Sequence, residues 1–169
     1  EYGNCPVHRE IGPLDVTAMA QACKNSGGRV IVQVEKIVQG GSLDPKLVKI
    51  PGIYVDCIVV GSEEDNLQCL GMPYDGSLAG EFRIPVDAIA SIPLDAKKVI
   101  ARRAAMELTQ DAVVNLGTGV PEKIANVAAE EGISDFMTLT VEAGSIAGIP
   151  AGGTQFGAAA NAMAILVKP

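Results

Sequence analysis

A glutamate at the end of an apolar segment is the residue best placed to do covalent chemistry. Residues 136–141 are aromatic, β-branched or long and apolar, which is the composition of a short strand buried on both faces. Glu142 follows at once, and Gly144 and Gly148 lie close behind it. Ligands of open α/β sheets bind outside the carboxyl ends of the strands, so this carboxylate could act as a nucleophile or a general base. The alternative is that Glu142 simply turns into solvent, as most glutamates do.

A glycine-rich loop upstream is the second candidate for a binding site. Residues 112–116 predict a strand that passes through Gly117 and Gly119 into a helix, and Pro121 suits the first helical turn because it has no N–H to leave unpaired. The free N–H groups of a helix N-terminus favour an anion. A dinucleotide fingerprint would need a third glycine where the chain has Glu122, so a nicotinamide cofactor is disfavoured.

The two strands are expected to lie side by side. Strand, helix and strand in succession form a βαβ unit, whose strands run parallel with their carboxyl ends at the same edge of the sheet. The loop at Gly117–Gly119 and the side chain of Glu142 should therefore share one crevice.

The whole chain predicts an α/β fold of open, mostly parallel sheets flanked by helices. The elements outside the βαβ unit are helices at 15–25 and 95–109 and strands at 29–36 and 55–60. Between 62 and 93, glycines and prolines interrupt the helix and strand patterns, and this stretch is longer than usual for a loop. We expect a first domain at 1–61, an interdomain connection at 62–93 and a second domain at 94–169. The alternative is one domain with a long excursion.

Composition argues against several classes of protein. The 169 residues are 48% hydrophobic and 20% charged, as in globular chains. A net charge of −7, 4% aromatic residues and no basic cluster denser than Lys97, Lys98, Arg102 and Arg103 disfavour a nucleic-acid partner. Four widely spaced cysteines and a single histidine predict no metal site, and the cysteines are expected to be buried free thiols.

Localisation and completeness are also predicted. The sequence has no signal peptide and no apolar run of the length that crosses a bilayer, so we expect a cytosolic chain with no membrane partner. Because the sequence opens on Glu1 instead of a methionine, we expect a fragment or a trimmed chain.

A series of motifs along the chain is informative beyond the chemistry of single residues. Residues 115–122 read Asn-Leu-Gly-Thr-Gly-Val-Pro-Glu, and residues 138–144 read Thr-Leu-Thr-Val-Glu-Ala-Gly. The other motifs are at 128–132, 148–153, 156–158 and Asn161, with earlier matches at 30–35 and 43–56. In this order they resemble the family I coenzyme A transferases, and most of all the single-chain acetate/propionate CoA-transferase branch. The resemblance spans nearly the whole chain.

The resemblance implies two fused α/β halves. This chain would hold the end of the first half and the start of the second, and it is much shorter than a complete member of the family. Because the family's coenzyme and acyl pockets draw on both halves, the resemblance implies that the partner is the rest of the transferase or identical subunits in a homo-oligomer.

The resemblance also implies a chemistry for Glu142. That residue would be the nucleophile of a ping-pong transfer between short-chain carboxylic acids, through an acyl-glutamyl anhydride and a glutamyl-CoA thioester. Coenzyme A and acyl-CoA would be substrates, with no permanently bound cofactor. Backbone N–H groups would hold the oxyanion, and the glycines that could line the pocket are Gly117, Gly119, Gly144 and Gly148.

Two other functions stay open. The chain could be a non-catalytic structural or CoA-binding fragment of a larger transferase. It could also be a domain that binds a phosphorylated sugar at the Gly117–Gly119 helix terminus, which would leave Glu142 unexplained. The remaining acids, Glu107, Glu122, Glu130 and Glu131, are expected on solvated helix faces, and His8 in a loop.

Overall fold

A computed structural model describes residues 2–158, and the chain divides into two compact units between Asp75 and Gly76. This division falls inside the stretch 62–93 that the sequence predicts as an interdomain connection. Asn161, which contributes to the family resemblance, lies outside the described residues.

The first unit contains one helix and four short strands. Helix α1 spans Val16–Asn25, and the strands are β1 (Cys5–Pro6), β2 (Ile31–Val34), β3 (Val48–Ile50) and β4 (Cys57–Val60), with short 3₁₀ turns at Pro45–Leu47, Gly52–Tyr54 and Glu63–Asp65. Strands β2 and β4 pair in parallel, whereas β1 and β3 pair antiparallel. A small core forms where Cys5, Ala20 and Ile50 pack together.

The second unit contains the predicted βαβ arrangement preceded by a helix. Its elements are α2 (Ala96–Ala105), β5 (Val113–Leu116), α3 (Lys123–Glu130) and β6 (Thr138–Val141), with 3₁₀ turns at Val86–Ala88 and Gly153–Gln155. Strands β5 and β6 pair in parallel, which confirms the prediction that their carboxyl ends lie at one edge.

Apolar packing under β5 and β6 holds this unit together. The buried residues of its core are Leu116, Ala125, Ala128, Met137, Leu139, Val141, Ile149 and Phe156. Helix α3, the crossover between the two strands, contributes the fully buried Ala125 and Ala128 to this core. The prediction of a strand from 136 covered on both faces is wrong in two respects. The strand begins at Thr138, and Thr138 and Thr140 are only half-buried because they point away from the core.

A largely buried ion pair joins the start of α2 to the end of α3. The ammonium of Lys98 lies 2.6 Å from Glu130 Oε2 and donates to the carbonyl oxygen of Ile92 at 2.8 Å. The other oxygen of Glu130 accepts from the N–H of Ile92 at 2.8 Å. Helix α2 itself begins where the side chain of Asp95 accepts from the Lys98 N–H, which caps the helix. The prediction that Glu130 belongs to a solvated face is therefore wrong.

The basic cluster on α2 is largely neutralised by ion pairs. Besides Lys98, Arg102 pairs with Glu131 at 2.8 Å, and Arg103 pairs with Glu107 one turn along. These two pairs are exposed, as the sequence predicts for Glu107 and Glu131, and exposed pairs stabilise a fold by little.

The cysteines are free thiols as predicted, but only Cys5 is buried and Cys57 is exposed. Burial raises the pKa of the Cys5 thiol. Within residues 2–158, no group of three or more His, Cys, Asp or Glu side chains could hold a metal ion. Over the same residues, no helix is both long and apolar enough to cross a membrane.

Removing the carboxylate of Glu130 should destabilise the second unit. The substitution Glu130→Ala leaves the buried ammonium of Lys98 without its countercharge, so we expect the free energy of unfolding to fall by about 1–3 kcal/mol. Urea denaturation measures the change. The neighbouring substitution Glu131→Ala removes only an exposed pair and should cost less than about 1 kcal/mol. Equal losses in the two variants would contradict the importance of the buried pair.

Candidate active site

The candidate active site begins where β5 and β6 end together. The last paired residues of the two strands are Leu116 and Val141, so Gly117 and Glu142 leave the sheet side by side. One residue earlier, the hydroxyl of Thr140 donates to Asn115 Oδ1 at 3.0 Å, which ties the strands together just before the edge. The sequence-predicted juxtaposition of the glycine loop and Glu142 thus has its basis in the register of the two strands.

Glu142 lies in a tight reversal of the chain. The N–H of Val141 donates to the carbonyl oxygen of Ser145 at 3.1 Å, and the N–H of Gly144 donates back to Val141 at 3.0 Å. Gly144 has a φ of +105°, a conformation that a residue with a Cβ rarely adopts. The Glu142 side chain is exposed, and among residues 2–158 none forms a hydrogen bond or ion pair with its carboxylate.

The segment after this reversal returns to the Glu142 carboxylate. It is anchored in the core by Ile149 and Phe156, which are both buried. The next residue, Gly157, lies so close that a Cβ built on it would be 3.6 Å from Glu142 Oε1. The backbone of Gly157 therefore forms one wall beside the candidate nucleophile.

A second glutamate at the same edge has the opposite environment. Glu122 precedes α3 and is only 5% exposed, so the prediction that it lies on a solvated face is wrong. Its carboxylate accepts from the N–H of Gly153 at 3.1 Å and, more weakly, from the N–H of Gly119 at 3.4 Å. The ammonium of Lys123 lies 2.9 Å away. Buried carboxylates are stable when they are paired and hydrogen-bonded in this way.

The environment of Glu122 lowers its pKa. Burial alone would raise the pKa of this carboxyl, but the hydrogen bond and charge of Lys123 and the bonds from Gly153 and Gly119 favour the ionised form and outweigh it. Glu122 is thus a fixed negative charge at this edge, with its oxygens already engaged.

The four predicted pocket glycines differ in what their N–H groups do. Those of Gly119 and Gly144 donate to Glu122 and Val141, so they are occupied within the chain. For Gly117 and Gly148, residues 2–158 provide no backbone hydrogen-bond acceptor. Gly117 also has open space where a side chain would be.

Comparison with known proteins confirms the family resemblance. Residues 2–61 match the family model described as Coenzyme A transferase. The whole chain is similar to caffeate CoA-transferase of Acetobacterium woodii, with 46% identity over 97% of this chain and 32% of that protein. It is also similar to acetate CoA-transferase YdiF of Escherichia coli O157:H7, with 43% identity over 93% of this chain and 29% of the relative. By sequence, the chain is therefore similar to coenzyme A transferases over nearly its whole length.

A solved structure supports the same conclusion for the fold. The chain is similar to the crystal structure of the Escherichia coli O157:H7 acyl-CoA transferase YdiF in a thioester complex with CoA. The TM-score is 0.68 at 37% identity, over 96% of this chain and 31% of that one. The predicted α/β class is confirmed. The chain spans about a third of the length of the relatives that it matches.

The sequence predicts Glu142 as a site residue and wrongly places Glu122 on a solvated face, although a signal for the position of Glu122 was present. An acid directly after Pro121, at the start of a helix that follows a glycine loop, lies beside N–H groups with no partner inside the helix. What the sequence could not give is Gly153, the distant residue whose N–H completes the site.

The lowered pKa of Glu122 predicts a pH-dependent stability. A carboxyl whose pKa is lower in the folded state stabilises the fold above its unfolded value, roughly pH 4.3, and loses this contribution as pH falls through the folded value. We expect Glu122→Gln to lower the Tm at pH 6 to 7, and the difference from the parent to shrink below about pH 4. Thermal unfolding across pH measures this, with Glu131→Gln as the exposed control. A difference that stays constant down to pH 3 would contradict it.

Proposed function

We propose that this chain carries the nucleophile of a CoA-transferase, and that Glu142 is that nucleophile. The substrates are an acyl-CoA and a short-chain carboxylic acid. The observation that carries the proposal is the pairing of Leu116 with Val141, after which Gly117 and an exposed, unpaired Glu142 carboxylate leave the sheet together. Ligands of α/β sheets bind at this edge.

In the proposed reaction, the Glu142 carboxylate is first consumed and finally regenerated. Glu142 attacks the thioester carbonyl of acyl-CoA and expels the CoA thiolate, which leaves an acyl-glutamyl anhydride. The thiolate then attacks the glutamyl carbonyl of the anhydride, releases the first acid as its carboxylate and forms a glutamyl-CoA thioester. An incoming carboxylate attacks that thioester and expels the thiolate again. Attack of the thiolate on the new acyl carbonyl gives the new acyl-CoA and restores Glu142.

Each of these attacks creates a negative oxygen that needs a hydrogen-bond donor. Removing one such donor typically slows a reaction by about 10²–10³-fold. The N–H groups of Gly119 and Gly144 are occupied, which favours those of Gly117 and Gly148 for this task. The lining role of all four glycines remains part of the proposal.

The proposal also includes a larger setting for this chain. We propose that residues 1–61 end a first α/β half, that 62–93 connect it to a second, and that 94–169 begin the second. The exposed Glu142 would leave a thioester open to water, which hydrolyses such intermediates unless it is excluded. We propose that the remainder of a transferase, or an identical subunit, covers the site in a cytosolic homo-oligomer. Coenzyme A enters as substrate and is not permanently bound.

Loss of Glu142 should abolish the covalent intermediate. The protein carrying this chain is incubated with acetyl-CoA and analysed by intact-mass spectrometry. A parallel sample is treated with borohydride, which reduces a glutamyl thioester to the alcohol and releases CoA, and its peptides are then analysed. We expect a CoA-sized adduct on the untreated chain and the reduced side chain at position 142 after borohydride; in Glu142→Ala we expect neither, and a transfer rate lower by about 10⁴-fold or more. With acetyl-CoA as donor, caffeate and isotopically labelled acetate, the acids named for two relatives, are the first acceptors to test.

The control for this experiment is Glu131→Ala, which removes an exposed carboxylate at the far end of α3 and should keep the adduct. An adduct on another residue, or one that persists in Glu142→Ala, would refute Glu142 as the nucleophile. A folded protein with no adduct would favour the non-catalytic alternative.

The close approach of Gly157 predicts a second effect on the same intermediate. Gly157→Ala places a methyl group 3.6 Å from Glu142 Oε1, in the space that a thioester carbonyl needs. We expect formation of the adduct to slow by roughly 10- to 100-fold, because small displacements of reacting atoms are costly. The rate of adduct formation measures this.

Gly132 offers a matched control, because it has the same φ of +69° but open space around it. Both alanine variants should lose stability by about 1–2 kcal/mol from the left-handed conformation. If Gly132→Ala slowed the adduct as much as Gly157→Ala, backbone strain and not crowding at Glu142 would be the cause.

A further inference from the structure

We propose that Glu122 is a positioning residue that fastens two loops around the Glu142 site, a role that rests on the function proposed for Glu142. It touches no substrate in this scheme. It acts through the loop that follows β5 and through the segment that ends at Gly157.

The contacts of Glu122 show which loops these are. One carboxylate oxygen accepts from Gly153 and the other from Gly119, so a single side chain links the loop after β5 to the segment beyond β6. Its position before α3 would suit an ordinary helix cap. Its side chain, however, makes no capping hydrogen bond to the helix. The carboxylate is therefore committed to the loops and not to the stability of α3.

The link from Gly153 to Glu142 is short and rigid. Gly153 begins the 3₁₀ turn Gly153–Gln155, and its carbonyl oxygen accepts from the N–H of Phe156 at 3.2 Å. Phe156 is buried in the core, and Gly157 follows it beside the Glu142 carboxylate. Holding Gly153 thus fixes the wall that Gly157 forms.

The charge of Glu122 is suited to this task. A second carboxylate near a nucleophile would repel both Glu142 and an incoming acid, but Lys123 at 2.9 Å balances it. A carboxylate also binds N–H groups more strongly than a neutral oxygen does. An ionised, paired glutamate therefore holds the segment at Gly153, and more weakly the loop at Gly119, without adding net charge.

The experiment measures the protection of the two loops and the rate of adduct formation separately. In the protein carrying this chain, hydrogen exchange is followed at the amides of Gly119 and Gly153, and adduct formation at Glu142 is timed over a range of acetyl-CoA concentrations. We expect Glu122→Ala to speed exchange at both amides by about tenfold. We expect it to slow adduct formation by about 10²-fold with little change in the KM for acetyl-CoA. Glu122→Gln, which keeps one acceptor oxygen, should fall between Glu122→Ala and the parent.

The matched control is Glu130→Ala, which removes another inward-facing glutamate of the same unit without touching either loop. It should destabilise the fold but leave exchange at Gly119 and Gly153 and the rate per folded molecule unchanged. An equal slowing in Glu130→Ala would overturn the positioning role.

The remaining outcomes also decide the question. Unchanged exchange in Glu122→Ala would overturn the link between the loops. Faster exchange with a normal adduct rate would overturn its catalytic relevance while the function of Glu142 stands. If the parent forms no adduct, the proposed function fails and the positioning role is overturned with it, even where the link between loops is real.

Discussion

The in-register parallel pairing of β5 and β6 is the constraint on which the candidate site depends. A shift of one residue would turn Leu139 and Val141 out of the core and would move Glu142 away from Gly117. The apolar side chains under the strands therefore fix the position of a carboxylate that is itself exposed. Apolar packing in the core thus holds the candidate site at this edge in place. Helix α3 supplies both the crossover connection and side chains for that packing.

Glu122 and Glu142 have different environments at this edge, and these environments suit different roles. Glu142 is exposed and has no bonding partner among the described residues, which agrees with the nucleophilic role proposed for it. Glu122 is buried and bonded on both oxygens, which leaves it no capacity to react but makes it a strong structural anchor. The same side chain thus serves as candidate reagent in one place and as scaffold in the other, and the difference lies entirely in hydrogen-bond partners and burial.

Much of the second unit could be predicted because its determinants are local. The apolar run before Glu142, the strand that enters a Gly-x-Gly loop and Pro121 at the start of a helix together give a parallel βαβ unit. The environments of Glu122 and Glu130 depend on residues that are distant in sequence. The half-buried Glu130 contacts Lys98 and Ile92, and the buried Glu122 contacts Gly153, and no local pattern gives these partners. The start of β6 was placed too early because Phe136 has strand composition but lies outside the ladder.

The parallel register has a consequence for the order in which this unit can assemble on the ribosome. Every residue of β5 pairs with a partner at the same short separation along the chain, and only α3 lies between them. Closing a loop of this length costs little entropy, and chains emerge from the ribosome with their N-terminal side first. The two strands that bear Gly117 and Glu142 at their ends have thus left the ribosome before Gly153 has. Until Gly153 has emerged, the carboxylate of Glu122 lacks one of its hydrogen-bond donors. The two strands can therefore pair before the segment at Gly153 is held in place.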